Sequence, residues 1–394
     1  MGTVLNKLGK RSLKDPLWDG PEDDGPMGGV TQSLISRSLV CSERFRIHTM
    51  EGLKPTERWN HKFGYGNMWH ECEEAYHANP TGRRSKLMTW QDKLRVHVAQ
   101  EMEKHRHDQE IIEKWYQICK RQFPVYISYW KKQNGKSKVP KSLMQEVSFR
   151  VPYKLPSGRV VYLRGKWDNV YISLLERMSL VLQDHKTKGT VEEDKISSQL
   201  QCDLQIMTYL IALQTSQENK QYIFEDAKYR KYKIGSVNYN VVRRPLSGGK
   251  GTIRQHKAKG NKPAETLEHF YDRLLKDYIE KEPEDYFMRW DASVSEEDIE
   301  LFAERTLDPA LENMCDDFEW WNHCYRNESD PLASFDYSLR KEMFPNHVRR
   351  HVLLPFGIYN PVADAGKTDL DNYIMTGEIT GLTRSDNLFP ELAA

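Results

Sequence analysis

The chain has 394 residues, of which 29% are charged, and a formal net charge of +1. That length allows two or three domains, or one domain enlarged by insertions. The charge balance leaves no overall basic excess of the kind that marks a nucleic-acid-coating protein, and no apolar run is long enough to span a bilayer.

Residues 1 to about 30 are rich in Gly, Pro and Asp, which predicts a loose arm. The opening "MGTVLNKLGKRSLKDPLWDG" lacks the apolar stretch of a signal peptide, and its Met-Gly start is a weak match to a myristoylation signal. "SLISRSLVCSERFRIHTMEG" predicts a short helix leading into the body. In "GNMWHECEEAYHA", Met68, Trp69, Cys72 and Tyr76 recur at helical spacing and predict a second helix that ends before Pro80. A long helix is expected from about 91 to 121, burying Leu94, Val98, Met102, Ile112, Trp115 and Cys119.

"EVSFRVPYKLPSGRVVYLRGKWDNVYISLLERMSLVLQDHK" is the one sustained region of alternating apolar residues, with turns at Pro-Ser-Gly and near Glu176. "KISSQLQCDLQIMTYLIALQ" then reads as helix, with Leu200, Leu204, Met207 and Leu210/Ile211 forming its apolar stripe. "QYIFEDAKYRKYKIGSVNYNVVRRP" reads as further strands, and the chain from about 264 onward as mainly helix, Ser295 opening one helix before Glu296, Glu297 and Asp298. Between Lys228 and Lys262 there are eleven Lys and Arg and no acid, which suggests a surface facing something negative. The six cysteines, at 41, 72, 119, 202, 315 and 324, form no CxxC pair, so a reducing interior is the expected setting. The division expected is an arm (1–30), a core (31–240), a basic loop (241–263) and a mainly helical extension (264–394). The core reads as α+β or mixed α/β.

Two acids and a lysine stand out because they fall where strands are forming. Strand alternation puts Asp184 and Lys186 on one face and turns His185 to the other. Asp168 is expected in the turn between strands, meeting Asp184 at a common sheet end. Two carboxylates brought together without a counter-charge would raise one pKa, and a hard divalent cation relieves that conflict. Lys186 would orient a water or stabilise charge on a phosphate. Taken alone, an Asp-x-Lys is more often an ion pair at a sheet rim.

The surrounding order of motifs adds to this. "GKWD" (Gly165 to Asp168), "DHK" (Asp184 to Lys186) and "QIMTY" (Gln205 to Tyr209), preceded by "GNMWH" (Gly66 to His70), resemble the G-x-x-D, D/E-x-K, Q-x-x-x-Y and G-x-x-x-H motifs of RecB-like nucleases in the PD-(D/E)XK superfamily. "NVVRRP" onward resembles the tail of stand-alone phage-type members. The resemblance implies a restriction-endonuclease-like α/β fold, a mixed central sheet flanked by helices, with a helical C-terminal extension. It implies Mg²⁺ or Mn²⁺ held by Asp168, Asp184, His70 and the His185 carbonyl, Lys186 as the catalytic lysine, and Gln205 and Tyr209 lining the site. An iron–sulfur cluster is not expected, since only Cys315 and Cys324 follow the core where three cysteines would be needed. "SGGKGT" is not a Walker A motif, so no motor is expected. Nor is "HECEEAYH" the HExxH of a zinc protease.

The expected substrate is DNA, with Arg243, Arg244, Lys250, Arg254, Lys257 and Lys259 of the basic run contacting phosphates. The activity implied is that of a deoxyribonuclease, foremost an exonuclease of recombination or end processing, acting beside a single-strand annealing or recombination partner in a bacterial or phage-infected cytoplasm. An endonuclease on the same core, an RNA-directed nuclease and a catalytically silent DNA-binding or assembly protein remain alternatives.

Overall fold

The computed structural model describes residues 16–327 apart from short stretches (41, 51, 56–57, 80–81, 83–85, 134–141, 174–178, 191–195, 197–199, 201–202, 247–252 and 261), together with 378–379, 382–385, 387–389 and 392. The expected turn near Glu176, Lys250 of the basic run and the side chains of Cys41, Cys202 and Cys324 fall outside the described residues.

Alternating apolar residues build the two longest strands, β3 (Ser142–Lys154) and β4 (Val160–Ser173), which pair antiparallel around the Pro-Ser-Gly turn. Phe149, Val151, Val161, Leu163 and Trp167 are among their buried residues. Strand β4 is central. On its other edge it pairs parallel with the short β1 (Val30–Thr31) at Leu163 and Arg164, and antiparallel with β5 (Ser179–Lys188) from Asn169 to Ser173. Strand β5 pairs parallel with β6 (Ile234–Arg243), and β6 antiparallel with β7 (Phe287–Ser293). The result is a mixed sheet of order β1-β4-β5-β6-β7, with β3 on β4. A small second sheet joins β2 (Leu53–Pro55) to β9 (Leu382–Arg384) and β8 (Glu378–Ile379).

Helices cover the sheet. The first predicted helix is two, α1 (Gln32–Val40) and α2 (Ser42–Thr49). The second, α3 (His61–Ala78), begins earlier than its apolar spacing indicates, because Asn60 caps it by accepting the Lys62 N–H at 2.9 Å. The long helix expected from 91 to 121 is also two, α4 (Trp90–Lys104) and α5 (Gln109–Gln133). The break falls at His105–Asp108, where the Asp108 carboxylate accepts the Trp59 N–H at 2.8 Å. Helix α6 (Leu204–Glu218) is capped by Asp203, whose Oδ1 accepts from Gln205 and Ile206.

Three expectations change. Tyr222–Glu225 and Ala227–Tyr229 are short 3₁₀ turns, so only the second half of the segment read as strands is one. The chain after 264 is not wholly helical: between α7 (Leu267–Leu274) and α8 (Glu296–Phe302) it returns to the main sheet as β7. And the arm is not loose throughout, since Leu17 and Trp18 are buried, Trp18 edge-on to Phe45 and to Phe318 of α9 (Asp308–Asn327). Helix α9 thus completes the core beneath α2, with Trp321 stacked on Phe45. The α8 start is a full capping box between Ser295 and Asp298.

Candidate active site

The β4–β5 ladder stops at the Asn169–Gln183 pair. One residue further on, the side chain of Asp168 replaces the main chain as acceptor, its Oδ2 taking the His185 N–H at 2.7 Å. Asp168 therefore sits within strand β4 where β4 parts from β5, not in a turn as the sequence suggested. The same stretch explains Gly165. A Cβ there would lie 2.6 Å from Phe149 and 2.9 Å from Tyr209, so glycine lets α6 close onto the strand.

Two groups of side chains meet at this parting. On the α6 side, Lys186 Nζ donates to Asp184 Oδ1 at 2.7 Å, and Gln205 Nε2 donates to the same oxygen at 3.2 Å. Asp184 is buried and its Oδ2 has no hydrogen-bond partner. On the α3 side, His70 Nδ1 lies 3.0 Å from Glu146 Oε1 and 3.8 Å from Asp168 Oδ1. Glu146 Oε2 takes Lys166 Nζ at 2.7 Å. Among the described residues, His70, Glu146 and Asp168 form a group whose ligand atoms lie within 4.8 Å of one another, as a metal-binding set requires. Asp184 adjoins that set without being part of it.

The electrostatics follow from burial and pairing. Burial pushes both aspartate carboxyls up; His70 and then Lys186 oppose this at Asp168, where Glu146 reinforces it, and Lys186 opposes it at Asp184, where Asp168 reinforces it. Burial also disfavours a charged His70 ring, but Asp168 and the Glu146 hydrogen bond outweigh it and hold the ring at about 9. Burial would raise Glu146 as well, yet His70 and Lys166 pull it down to about 2. Lys186 is held above the ordinary lysine range, burial being overcome by Asp184 and Asp168. Three carboxylates and a histidine converging here, with one carboxylate oxygen left unpaired, make the donor set that a hard divalent cation takes. His70, Glu146, Asp168 and Asp184 are the residues that would hold it.

Glu146 was not singled out by sequence. It lies on β3 between the Gln145–Asn169 and Val147–Trp167 pairs, opposite Asp168, in the left-handed region at φ 51°. A Glu in that conformation is strained, and strain of this kind gathers at functional sites. The one available signal was an acid between the apolar residues of an alternating strand, "MQEVSF".

The remaining expected residues are placed as follows. The His185 side chain points away from the acids into a buried polar network: Nδ1 is 2.7 Å from Asn240 Nδ2 and 3.7 Å from Glu73 Oε1. Asn240 also donates to the Tyr126 hydroxyl at 2.8 Å and accepts from Arg289 Nε at 2.9 Å. Burial lowers the His185 ring to about 4, against the pull of Glu73. Tyr209 packs edge-on to Phe149 and holds Trp167 Nε1 at its carbonyl, 3.3 Å. Its hydroxyl is raised by burial and then by Asp168, and takes a hydrogen bond from the Lys166 main chain. Arg254, Lys257 and Lys259 are exposed on the basic run, and Arg243 lies over the Tyr286 ring. Arg244 is different: it is buried, and its Nη1 donates to the Thr187 carbonyl at 2.6 Å and to the Lys62 carbonyl at 3.4 Å. Its guanidinium clamps main chain, which corrects the expectation that it faces phosphate.

No curated protein matches this chain. The model of the PD-(D/E)XK nuclease superfamily matches residues 30–325, three quarters of the sequence, from β1 into the last turn of α9. That span contains every element of the mixed sheet and every residue of the site, and the chain belongs to the PD-(D/E)XK nuclease superfamily.

Proposed function

We propose that the chain is a divalent-metal-dependent deoxyribonuclease, acting from DNA ends in recombination or end processing. The observation that carries the reading is the junction of the His70–Glu146–Asp168 set with Asp184 and Lys186 at the parting of β4 and β5. The cation, Mg²⁺ or Mn²⁺, would supply Lewis acidity at the scissile phosphate. The protein's own groups do the rest. Lys186, a cation 2.7 Å from Asp184, would orient the attacking water and stabilise charge on the phosphate. Gln205 holds Asp184, the His185 N–H holds Asp168, and Glu146 fixes His70 and Lys166. Arg243, Arg254, Lys257 and Lys259 supply phosphate contacts outside the pocket, so affinity should fall with salt.

The test is digestion of end-labelled linear duplex, single-stranded and circular DNA, and of RNA, with Mg²⁺, Mn²⁺ or EDTA. Degradation of linear but not circular DNA, lost in EDTA and in Asp184→Ala and Lys186→Ala, is expected. Cleavage of circular DNA would replace the exonuclease by an endonuclease. Undiminished activity in both variants would remove the site assignment.

A further inference from the structure

Phe63 is 73% exposed, well beyond any other large apolar side chain among the described residues, the next being Met88 at 55%. Solitary exposed apolar residues are ordinary on protein surfaces, and this one draws notice through its place. On helix α3 it lies seven residues before His70, so Phe63, Gly66, Asn67 and His70 share one face. That face looks at the end of the catalytic strand, since a Cβ on Gly66 would stand 3.3 Å from Thr187 Oγ1, next to Lys186. Arg244 ties the same corner together by bonding both Thr187 and Lys62. Two turns of helix put Phe63 about 10 Å along the axis from His70, a short step along a nucleic-acid strand.

The chain on either side of the helix start carries exposed cations, while the acids there, Asp108 and Glu101, are taken up by Trp59. Lys62, exposed, directly precedes Phe63 in the chain, exposed Arg58 lies just before the helix, and Arg243 ends the strand whose next residue, Arg244, touches Lys62. The neighbouring His61 ring, stacked on Trp115, is lowered by burial and then by Arg244 and Lys62, a sign of positive potential at this corner. An apolar ring with no polar handle, set among cations and one helix face from the pocket, fits a base with its phosphate. Paired bases inside a duplex offer no free face, whereas an unpaired nucleotide does.

We propose that Phe63 stacks on an unpaired base at the mouth of the site, so that the enzyme engages DNA through a single-stranded or frayed end. This rests on the nuclease reading above and adds the form of the substrate. The strand lies along the Phe63–His70 face of α3, its phosphates toward Lys62 and Arg58, and leads to Asp184 and Lys186.

The experiment uses the full chain in EDTA, so that binding is read without cleavage, and a single-stranded oligonucleotide with 2-aminopurine as its terminal base. Wild type and Phe63→Trp should quench the 2-aminopurine on binding. Phe63→Ala should lose the quenching and bind about tenfold more weakly, in keeping with the loss of one stacked base. In Mg²⁺, Phe63→Ala should be slowed more on recessed or frayed ends than on a long pre-formed single strand given in excess. Phe63 is exposed, so the variants should melt as the wild type does. Equal affinity and equal quenching in wild type and Phe63→Ala, in a wild type that cuts DNA, would overturn this inference alone. A wild type that neither binds nor cuts DNA would overturn the nuclease reading with it.

Discussion

Replacing Glu146 by Gln tests the part of the site that composition and spacing did not reveal. The substitution keeps the shape of the side chain, and Gln inherits the same left-handed backbone at φ 51°, so strain is unchanged and only the charge is lost. Two contacts change in the metal-free protein: the 3.0 Å bond to His70 and the 2.7 Å pair with Lys166. Lys166 is about one-third exposed, so solvent screens its loss, and a cost of about 1–2 kcal/mol is expected. The larger effect should be on metal. If the wild type is held at 100 times its dissociation constant, the cation stabilises it by about 2.7 kcal/mol. A hundredfold weaker site at the same concentration retains only about 0.4 kcal/mol. Thermal melts with increasing Mn²⁺ or Mg²⁺ read this directly: the wild-type melting temperature should climb by several degrees and that of Glu146→Gln should barely move, with nuclease activity falling in parallel. A variant that gains as much from metal as the wild type would show that Glu146 only braces His70 and Lys166.

Asn240→Ala takes the amide away from the buried His185 ring and the Tyr126 hydroxyl, while the half-buried Arg289 keeps Tyr126 and Trp130; about 1–3 kcal/mol should be lost in urea denaturation, and an unchanged midpoint would mean that water replaces the amide. Trp18→Ala should cost about 3–5 kcal/mol through the cavity it leaves against Phe45 and Phe318, which a loose arm would not. Burial, with Asp316 beside it, pushes the Asp317 carboxyl up to about 6, so the folded chain holds that proton more tightly than the unfolded one. Stability should therefore fall as pH rises from about 4 to about 6 and stay reduced above it. Asp317→Asn should then gain about 1–2 kcal/mol at pH 7.5, after allowing for solvent screening, and little at pH 4; equal effects at both values would sink that account.

Much of the site was legible because its chemistry obeys short periods. Alternation along β5 puts Lys186 beside Asp184 and turns the His185 ring away, and the four-residue step from Gln205 to Tyr209 keeps both on one side of α6. What escaped depends on pairing between distant segments. Asp168 looked like a turn residue because no local signal says that β4 continues through it while β5 departs. Glu146 is placed by the β3–β4 register, which sequence spacing does not encode. Arg244 looked like its neighbours in a basic run, yet the meeting of β6 with the start of α3 buries it. Likewise β7 hides in a stretch of mostly helical composition, since an edge strand needs only one partner to form.

The parting of β4 from β5 also has a mechanical side. Between Arg164, the last residue that β4 shares with β1, and Asn169, the first it shares with β5, this edge of the strand has no ladder partner. Asp168 bridges the break with a side-chain bond, and Tyr209 plugs it from α6. A seam of this kind opens at lower free energy than the ladders on either side. Amide exchange at His185 should therefore outpace that at Val181 and Leu182, and on warming the enzyme should lose activity before the bulk of the sheet unfolds.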